Sequence, residues 1–112
     1  MTPYYIQNDR VYRDGETGKE LAIIYSAHFG AGWSTWNDDS TEMRHCAPLV
    51  TMILDGASYS AILLEAKRLF PDACLLCTDL AVAWVPCGEY YYIKEYDGCE
   101  CVITQFMMEV AE

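Results

Sequence analysis

The stretch of sequence that decides the fold is residues 90–104, Tyr-Tyr-Tyr-Ile-Lys-Glu-Tyr-Asp-Gly-Cys-Glu-Cys-Val-Ile-Thr. Two runs rich in aromatic and β-branched residues, 90–96 and 99–104, flank the pair Asp97-Gly98. Such runs favour strands. Asp-Gly supplies the positive φ angles of a two-residue type I′ turn, so the stretch predicts a β-hairpin.

The two-residue turn also predicts the register of this hairpin. It pairs Tyr96 with Cys99 and Glu95 with Glu100, so two like charges face each other across the strands, which is unfavourable. Side chains alternate between the two faces. One face carries Tyr92, Lys94, Tyr96, Cys99, Cys101 and Ile103, and the other carries Ile93 and Val102 beside the two glutamates.

Four further strands are predicted from short β-prone runs at residues 3–6, 10–12, 21–25 and 80–85. The run at 21–25, Leu-Ala-Ile-Ile-Tyr, is apolar throughout, which indicates burial on both of its faces. Two glycines and several polar side chains predict a turn over residues 13–19.

Helix signals occupy the middle of the chain. N-cap candidates within residues 37–42 predict that a helix begins there. Pro48 is tolerated only in a first turn, so a helix is predicted at 48–54, with Gly56 as its stop. Ser58 or Ser60 is predicted to cap a second helix that runs to residue 70.

These elements together predict an α+β fold, in which a small antiparallel β-sheet is covered by a helical hairpin. The second helix is amphipathic and ends before Pro71. Residues 105–112 are predicted to form a short terminal helix. The 112 residues are expected to fold as a single globular domain over 1–112.

The composition is strongly acidic, with 17 acidic and 7 basic residues and a formal net charge of −10. Nucleic-acid backbones are bound by clustered Lys and Arg, so direct nucleic-acid binding is not expected. From residue 69 onward there are eight acidic residues and one basic residue, a balance that favours basic partners. The chain has no apolar run of about 20 residues and no leader-like start, so we expect a cytoplasmic protein without membrane contact.

Residues 30–37, Gly-Ala-Gly-Trp-Ser-Thr-Trp-Asn, are the strongest candidate for a binding surface. Indole rings offer stacking faces, and backbone N–H groups beside glycines can cradle a phosphate. The predicted contact residues are His28, Gly30, Gly32, Trp33, Trp36, Asn37 and Arg44, the last as a cation for a phosphate ligand. The alternative interpretation packs both indoles into the core and uses the glycines to turn the chain.

Six cysteines raise the question of a metal site. Cys74 and Cys77 have CxxC spacing, and Cys99 with Cys101 would complete a tetrahedral zinc set. The other interpretation is that the cysteines pack as small hydrophobic side chains. We adopt the second, so neither a metal nor another cofactor is expected.

Two sequence landmarks carry a family resemblance. The first is Ala-Ile-Ile-Tyr at 22–25 leading into Phe-Gly-Ala-Gly-Trp-Ser-Thr-Trp-Asn at 29–37. The second is Trp-Val-Pro-Cys-Gly at 84–88 followed by Ile-Lys-Glu-Tyr-Asp-Gly at 93–98. On these segments the chain resembles small, mostly uncharacterised proteins of phage and prophage genomes. The resemblance implies a phage setting and transfers no catalytic residue.

The resemblance implies a non-catalytic binding protein of phage type that counters or modulates a host defence system. Such a protein blocks a host protein, with acidic side chains in place of nucleic-acid phosphates, or sequesters a nucleotide-type signal. The acidic C-terminal half favours blocking, and residues 30–37 favour sequestration. The alternatives are a small enzyme that hydrolyses a nucleotide signal and a zinc-stabilised structural or assembly protein. The oligomeric state stays open, although a homo-oligomer would suit so small a chain.

Overall fold

The computed structural model describes residues 3–16, 18–27, 32–37, 42–75, 79–96 and 98–104. Six strands are found in these ranges: β1 (Tyr5–Gln7), β2 (Arg10–Gly15), β3 (Gly18–Ser26), β4 (Leu80–Pro86), β5 (Tyr91–Tyr96) and β6 (Cys99–Thr104). Three α-helices accompany them: α1 (Glu42–His45), α2 (Ala47–Leu54) and α3 (Tyr59–Leu69). The predicted α+β class is confirmed.

The strands form two antiparallel sheets. Four strands pair in the order β1-β2-β3-β4, and β5 pairs with β6 as a separate hairpin. The helices α2 and α3 pack against each other, and α2 also packs on the four-stranded sheet. The hairpin contacts the same sheet through β3 and β6, so it adds a second layer of strands to the fold.

Strand β3 is central to the core because both of its faces are covered. Ala22 and Ile24 belong to the larger apolar cluster, which includes the helices. Ile23 belongs to a smaller cluster with Val85 of β4 and Val102 of the hairpin strand β6. All three β3 side chains are fully buried. The prediction that this apolar run is buried on both faces is confirmed.

The β5–β6 hairpin has the predicted register. Tyr96 pairs with Cys99, and Glu95 pairs with Glu100. The side chains of the two glutamates accept hydrogen bonds from different groups. Glu95 accepts a hydrogen bond from the backbone N–H of Gly98 at 2.7 Å, whereas Glu100 is only 3% exposed and bonds to groups outside the hairpin, described below.

The connection between β2 and β3 is shorter than predicted. The sequence predicts a turn over residues 13–19, but β2 continues to Gly15 and β3 starts at Gly18. Opposite charges explain the extra pairing, because Arg13 lies across from Glu20 and their side chains form an ion pair of 2.6 Å between Nε and Oε1. Cross-strand pairs of opposite charge stabilise a ladder, and here they extend the strands into the predicted turn.

The helices follow the predicted start and stop signals. Helix α1 begins at Glu42, at the end of the predicted start region. Helix α2 carries Pro48 in its first turn, where a backbone N–H has no helical partner to lose. Gly56 follows α2 with a φ of 80°. Helix α3 ends at Leu69, just before the predicted break at Pro71.

Ser58 caps α3, since its hydroxyl oxygen accepts a hydrogen bond from the N–H of Ala61 at 3.2 Å. We expect Ser58→Ala to lower the free energy of unfolding by about 1 kcal/mol, because the helix then loses a partner for one of its first N–H groups. Urea denaturation followed by circular dichroism measures this loss. Ser60→Ala is the matched control within the helix, and an equal loss in both variants would contradict the cap.

Two expectations concern membrane contact and the C-terminus. Among the described residues, no helix is both long enough and apolar enough to cross a membrane. The terminal helix predicted at residues 105–112 lies outside the described ranges.

Candidate functional site

The predicted binding segment is described from Gly32 to Asn37, and we call residues 32–37 the tryptophan loop. Two of the predicted contact residues, His28 and Gly30, lie outside the described ranges. Trp33 is 0% exposed, whereas Trp36 is 49% exposed. The two indoles, which were predicted to act together, therefore lie in opposite environments.

The prediction that Trp33 is a contact residue is wrong, because Trp33 is part of the core. Its side chain belongs to the larger apolar cluster, and its Nε1–H donates to the backbone oxygen of Met43 at 2.8 Å. Its backbone N–H donates to the hydroxyl of Ser26 at 3.3 Å. A buried indole needs an acceptor for its N–H. Met43 supplies that acceptor, so Trp33 holds the loop to α1.

Asn37 is buried as well, with 7% of its surface exposed, and the prediction that it contacts a ligand is corrected accordingly. Its Nδ2 donates to the backbone oxygens of Trp33 at 2.7 Å and Cys74 at 3.0 Å. Its Oδ1 accepts from the N–H of Cys74 at 2.8 Å. The amide thus joins the tryptophan loop to the chain that precedes β4, and these bonds occupy the groups that a ligand would need.

Three hydrogen-bond donors converge on the buried carboxylate of Glu100. Its Oε1 accepts from the backbone N–H of Ser26 at 2.9 Å. Its Oε2 accepts from the N–H of Thr35 at 2.7 Å and from the Thr35 hydroxyl at 2.8 Å. Converging donors of this kind form an anion cradle, and we call this arrangement the Glu100 cradle. The anion that it holds belongs to the chain itself.

Gly32 is required by the close approach of the same carboxylate. A β-carbon at this position would lie 2.9 Å from Oε2 of Glu100 and 2.8 Å from Cδ1 of Trp36, and it would also collide with the hydroxyl of Thr35. A larger residue would therefore displace several side chains at once. The close approach that this glycine permits is made to Glu100, so Gly32 is not open to a phosphate in this arrangement.

Glu100 is not among the predicted contact residues, although one feature of the sequence indicates that its side chain needs hydrogen-bond donors. The predicted register places Glu100 on the apolar face of the hairpin, directly across from Glu95. A carboxylate on an apolar face needs hydrogen-bond donors. The donors could not be identified, because Thr35 lies 65 positions away in the chain.

Trp36 is the exposed residue of the tryptophan loop. It sits in a single 3₁₀ turn, Thr35–Asn37, between one residue that bonds Glu100 and another that bonds Cys74. The backbone on both sides of Trp36 is therefore anchored, while its indole faces solvent. Arg44, the predicted cation, is half-buried on α1, next to the Met43 carbonyl that holds Trp33.

The cavity beside the loop has a volume of about 310 Å³ and is bounded by Asn37, Met43 and residues 69–73. This volume is at the lower end of the range for small-molecule pockets. The described lining is mostly apolar, with Asp72 as its charged side chain. It presents no basic group, so it lacks the counter-charge that a phosphate ligand requires.

Three of the four cysteines in the alternative zinc set are described, and Cys77 lies outside the described ranges. Cys99 is half-buried, and its thiol donates to the backbone oxygen of Ala27 at 3.6 Å. Cys101 is exposed, and Cys74 is half-buried. Within the described residues, no group of three or more metal-binding side chains comes together.

The cysteines are expected to differ in reactivity. Cys46 is 6% exposed, and burial raises the pKa of its thiol, so both access and thiolate formation are reduced. Cys87 and Cys101 are exposed. Among the five described cysteines, we expect iodoacetamide to label these two first and Cys46 only slowly. Peptide mass spectrometry over time measures the order, and equal labelling in native buffer and in urea would contradict the burial of Cys46.

Comparison with protein-family models, with curated proteins and with solved structures finds no match to this chain.

Proposed function

We propose that this chain is a non-catalytic binding protein of phage type that blocks a host defence or metabolic protein in the bacterial cytoplasm. The observation that supports the proposal is the presentation of Trp36. Its indole is 49% exposed on a loop that is hydrogen-bonded on both sides. Tryptophans of this kind commonly dominate the binding energy of protein interfaces.

The anchoring of the loop supports a role in binding because it reduces the entropy lost on association. Trp33, Asn37 and Glu100 connect the loop to α1, to the chain before β4 and to β6. Ser34 adds a bond from its hydroxyl to the oxygen of Ile24 at 3.1 Å. A side chain presented by a rigid backbone gains affinity, since less freedom is lost when the partner binds.

Charge favours a protein target with a basic surface. The formal net charge of −10 attracts cationic surfaces and repels free nucleotides. Within the tryptophan loop, the groups suited to holding a phosphate already hold the carboxylate of Glu100. Sequestration of a nucleotide signal therefore has less support than the blocking of a protein whose basic site normally binds nucleic acid.

Trp36→Ala is expected to weaken partner binding strongly without unfolding the protein. The immobilised wild-type chain and two variants are compared for capture of a bacterial host protein, followed by measurement of the dissociation constant with the purified partner. Loss of a central tryptophan raises that constant by about 30-fold or more. Leu64→Ala is the control, because Leu64 is 74% exposed on α3, away from the loop in sequence, and is expected to change little.

Two results would contradict the proposal. The first is a partner that binds the wild type and Trp36→Ala equally well. The second is a nucleotide adduct in native mass spectrometry after addition of cyclic dinucleotides, or turnover of such a compound, which would favour sequestration or an enzyme. Stoichiometric zinc in the same spectra would favour the zinc-stabilised alternative.

A further inference from the structure

Strand β4 lies at one edge of the four-stranded sheet, where its described partner is β3. Two hydrogen bonds show which backbone groups this pairing uses: the N–H of Ala27 donates to the oxygen of Asp79 at 3.3 Å, and the N–H of Cys87 donates to the oxygen of Lys19 at 2.9 Å. In an antiparallel ladder the bonded residues alternate. The odd-numbered residues of β4 therefore bond to β3, and the even-numbered residues direct their N–H and C=O groups away from it.

The outward-directed groups belong to Leu80, Val82, Trp84 and Pro86. Pro86 has no N–H, and its position needs none, because that group would face away from β3. β4 is seven residues long and contains no charged side chain. The opposite edge, β1, has only three residues. Short length and charge are common protections of a sheet edge, and β4 has neither.

We propose that β4 pairs with β4 of a second copy of this chain, antiparallel, about a two-fold axis at Val82. In this register Val82 lies across from Val82 of the partner subunit, and Leu80 lies across from Trp84 of the partner subunit. Each of these three residues then donates and accepts a hydrogen bond across the axis. The two four-stranded sheets become one continuous sheet.

Pro86 and the local charge both favour this register. An axis at Trp84 would bring Pro86 opposite Val82 and lose hydrogen bonds, whereas an axis at Val82 leaves Pro86 just beyond the last pair. The residues of β4 itself are all apolar, so the paired strands bring no charged side chains together, although each chain carries a net charge of −10. A second copy thus offers an apolar strand that pairs with this edge without placing Pro86 inside the ladder.

The test combines sedimentation equilibrium of the full chain with amide hydrogen exchange measured by NMR at several protein concentrations. We expect a reversible dimer that strengthens with added salt, because salt screens the repulsion between two acidic chains. The amides of Leu80, Val82 and Trp84 should slow as the dimer forms, while that of Ala83, which is bonded to β3, is slow throughout. A monomer at all concentrations, or a dimer in which the three outward amides exchange freely, would overturn the proposal.

A pair of variants separates backbone pairing from side-chain packing. Val82→Pro removes an N–H that β3 does not use, and it is expected to raise the dimer dissociation constant about tenfold or more. Val82→Ile keeps that N–H and is expected to change the constant little. Equal weakening by both variants would contradict pairing through the backbone. If Val82→Pro does not fold, the exchange experiment on the wild-type chain still decides.

The dependence of binding on salt concentration also distinguishes β4 self-pairing from the proposed binding of a host protein. Binding of a basic host protein is expected to weaken as salt rises, whereas β4 self-pairing is expected to strengthen. Failure of either one therefore leaves the other testable on its own.

Discussion

Glu100→Ala is expected to lower the free energy of unfolding by about 3–5 kcal/mol, among the largest effects of any single substitution in this chain. The variant leaves the N–H of Ser26, the N–H of Thr35 and the Thr35 hydroxyl without their shared acceptor. Buried donors without acceptors each cost about 1–3 kcal/mol. Urea denaturation monitored by tryptophan fluorescence and by circular dichroism measures the change.

Glu95→Ala is the matched control for Glu100→Ala, because Glu95 lies directly across the hairpin and is exposed. Its removal takes away one like charge and one bond to Gly98, so we expect a change within about 1 kcal/mol. Glu100→Gln keeps one acceptor but turns an NH₂ group toward a donor, and it should fall between the two. Equal stability of the Glu95 and Glu100 alanine variants would contradict the Glu100 cradle.

Trp33→Ala is expected to cost about 3–5 kcal/mol, since it removes a fully buried indole and leaves a cavity in the larger apolar cluster. It also removes the donor to the Met43 oxygen. Trp33→Phe fills much of the cavity but still lacks that donor, so its loss should be smaller. The same denaturation measurement compares the two variants with the wild type.

Trp36→Ala serves as the control for Trp33→Ala, because the same substitution is made three positions away at a half-exposed side chain. We expect the loss of stability at Trp36 to be within about 1 kcal/mol. Similar destabilisation by both variants would show that the two indoles are equivalent in packing. That result would contradict the separation of a core residue, Trp33, from a contact residue, Trp36.

The parts of the fold that could be predicted carry local signals. Asp97-Gly98 between two β-prone runs predicted the hairpin register, and the structure has that register. Pro48, Gly56 and Pro71 predicted the ends of two helices, because proline lacks an N–H and restricts φ, whereas glycine readily adopts the positive φ found after a helix. Signals of this kind lie within a few residues of the structure that they determine.

The parts that could not be predicted depend on distant residues. The tryptophan loop has no helical or strand period, so nothing in its sequence distinguishes the buried Trp33 from the exposed Trp36. Their environments are decided by Met43 and by Glu100, which bonds a residue 65 positions away. The extension of β2 and β3 involves closer residues: Arg13 and Glu20, seven positions apart, form a cross-strand ion pair that turn composition alone does not indicate.

The contacts of the tryptophan loop with Glu100 determine which ligands the loop can bind. Its glycine and its backbone N–H groups predicted an anion site, and donors of the loop do hold an anion, that of Glu100. Because this carboxylate fills the cradle, the loop is better suited to display Trp36 than to bind a phosphate. The proposed function rests on that displayed indole.

The most direct measurement is photo-crosslinking in bacterial cells with p-benzoylphenylalanine in place of Trp36. The same group in place of Leu64, which is 74% exposed, provides the control for nonspecific reaction at an exposed site. We expect a discrete adduct with one host protein from position 36 and none from position 64. The absence of an adduct at position 36, or the same adducts from both positions, would contradict the claim that Trp36 is the contact residue.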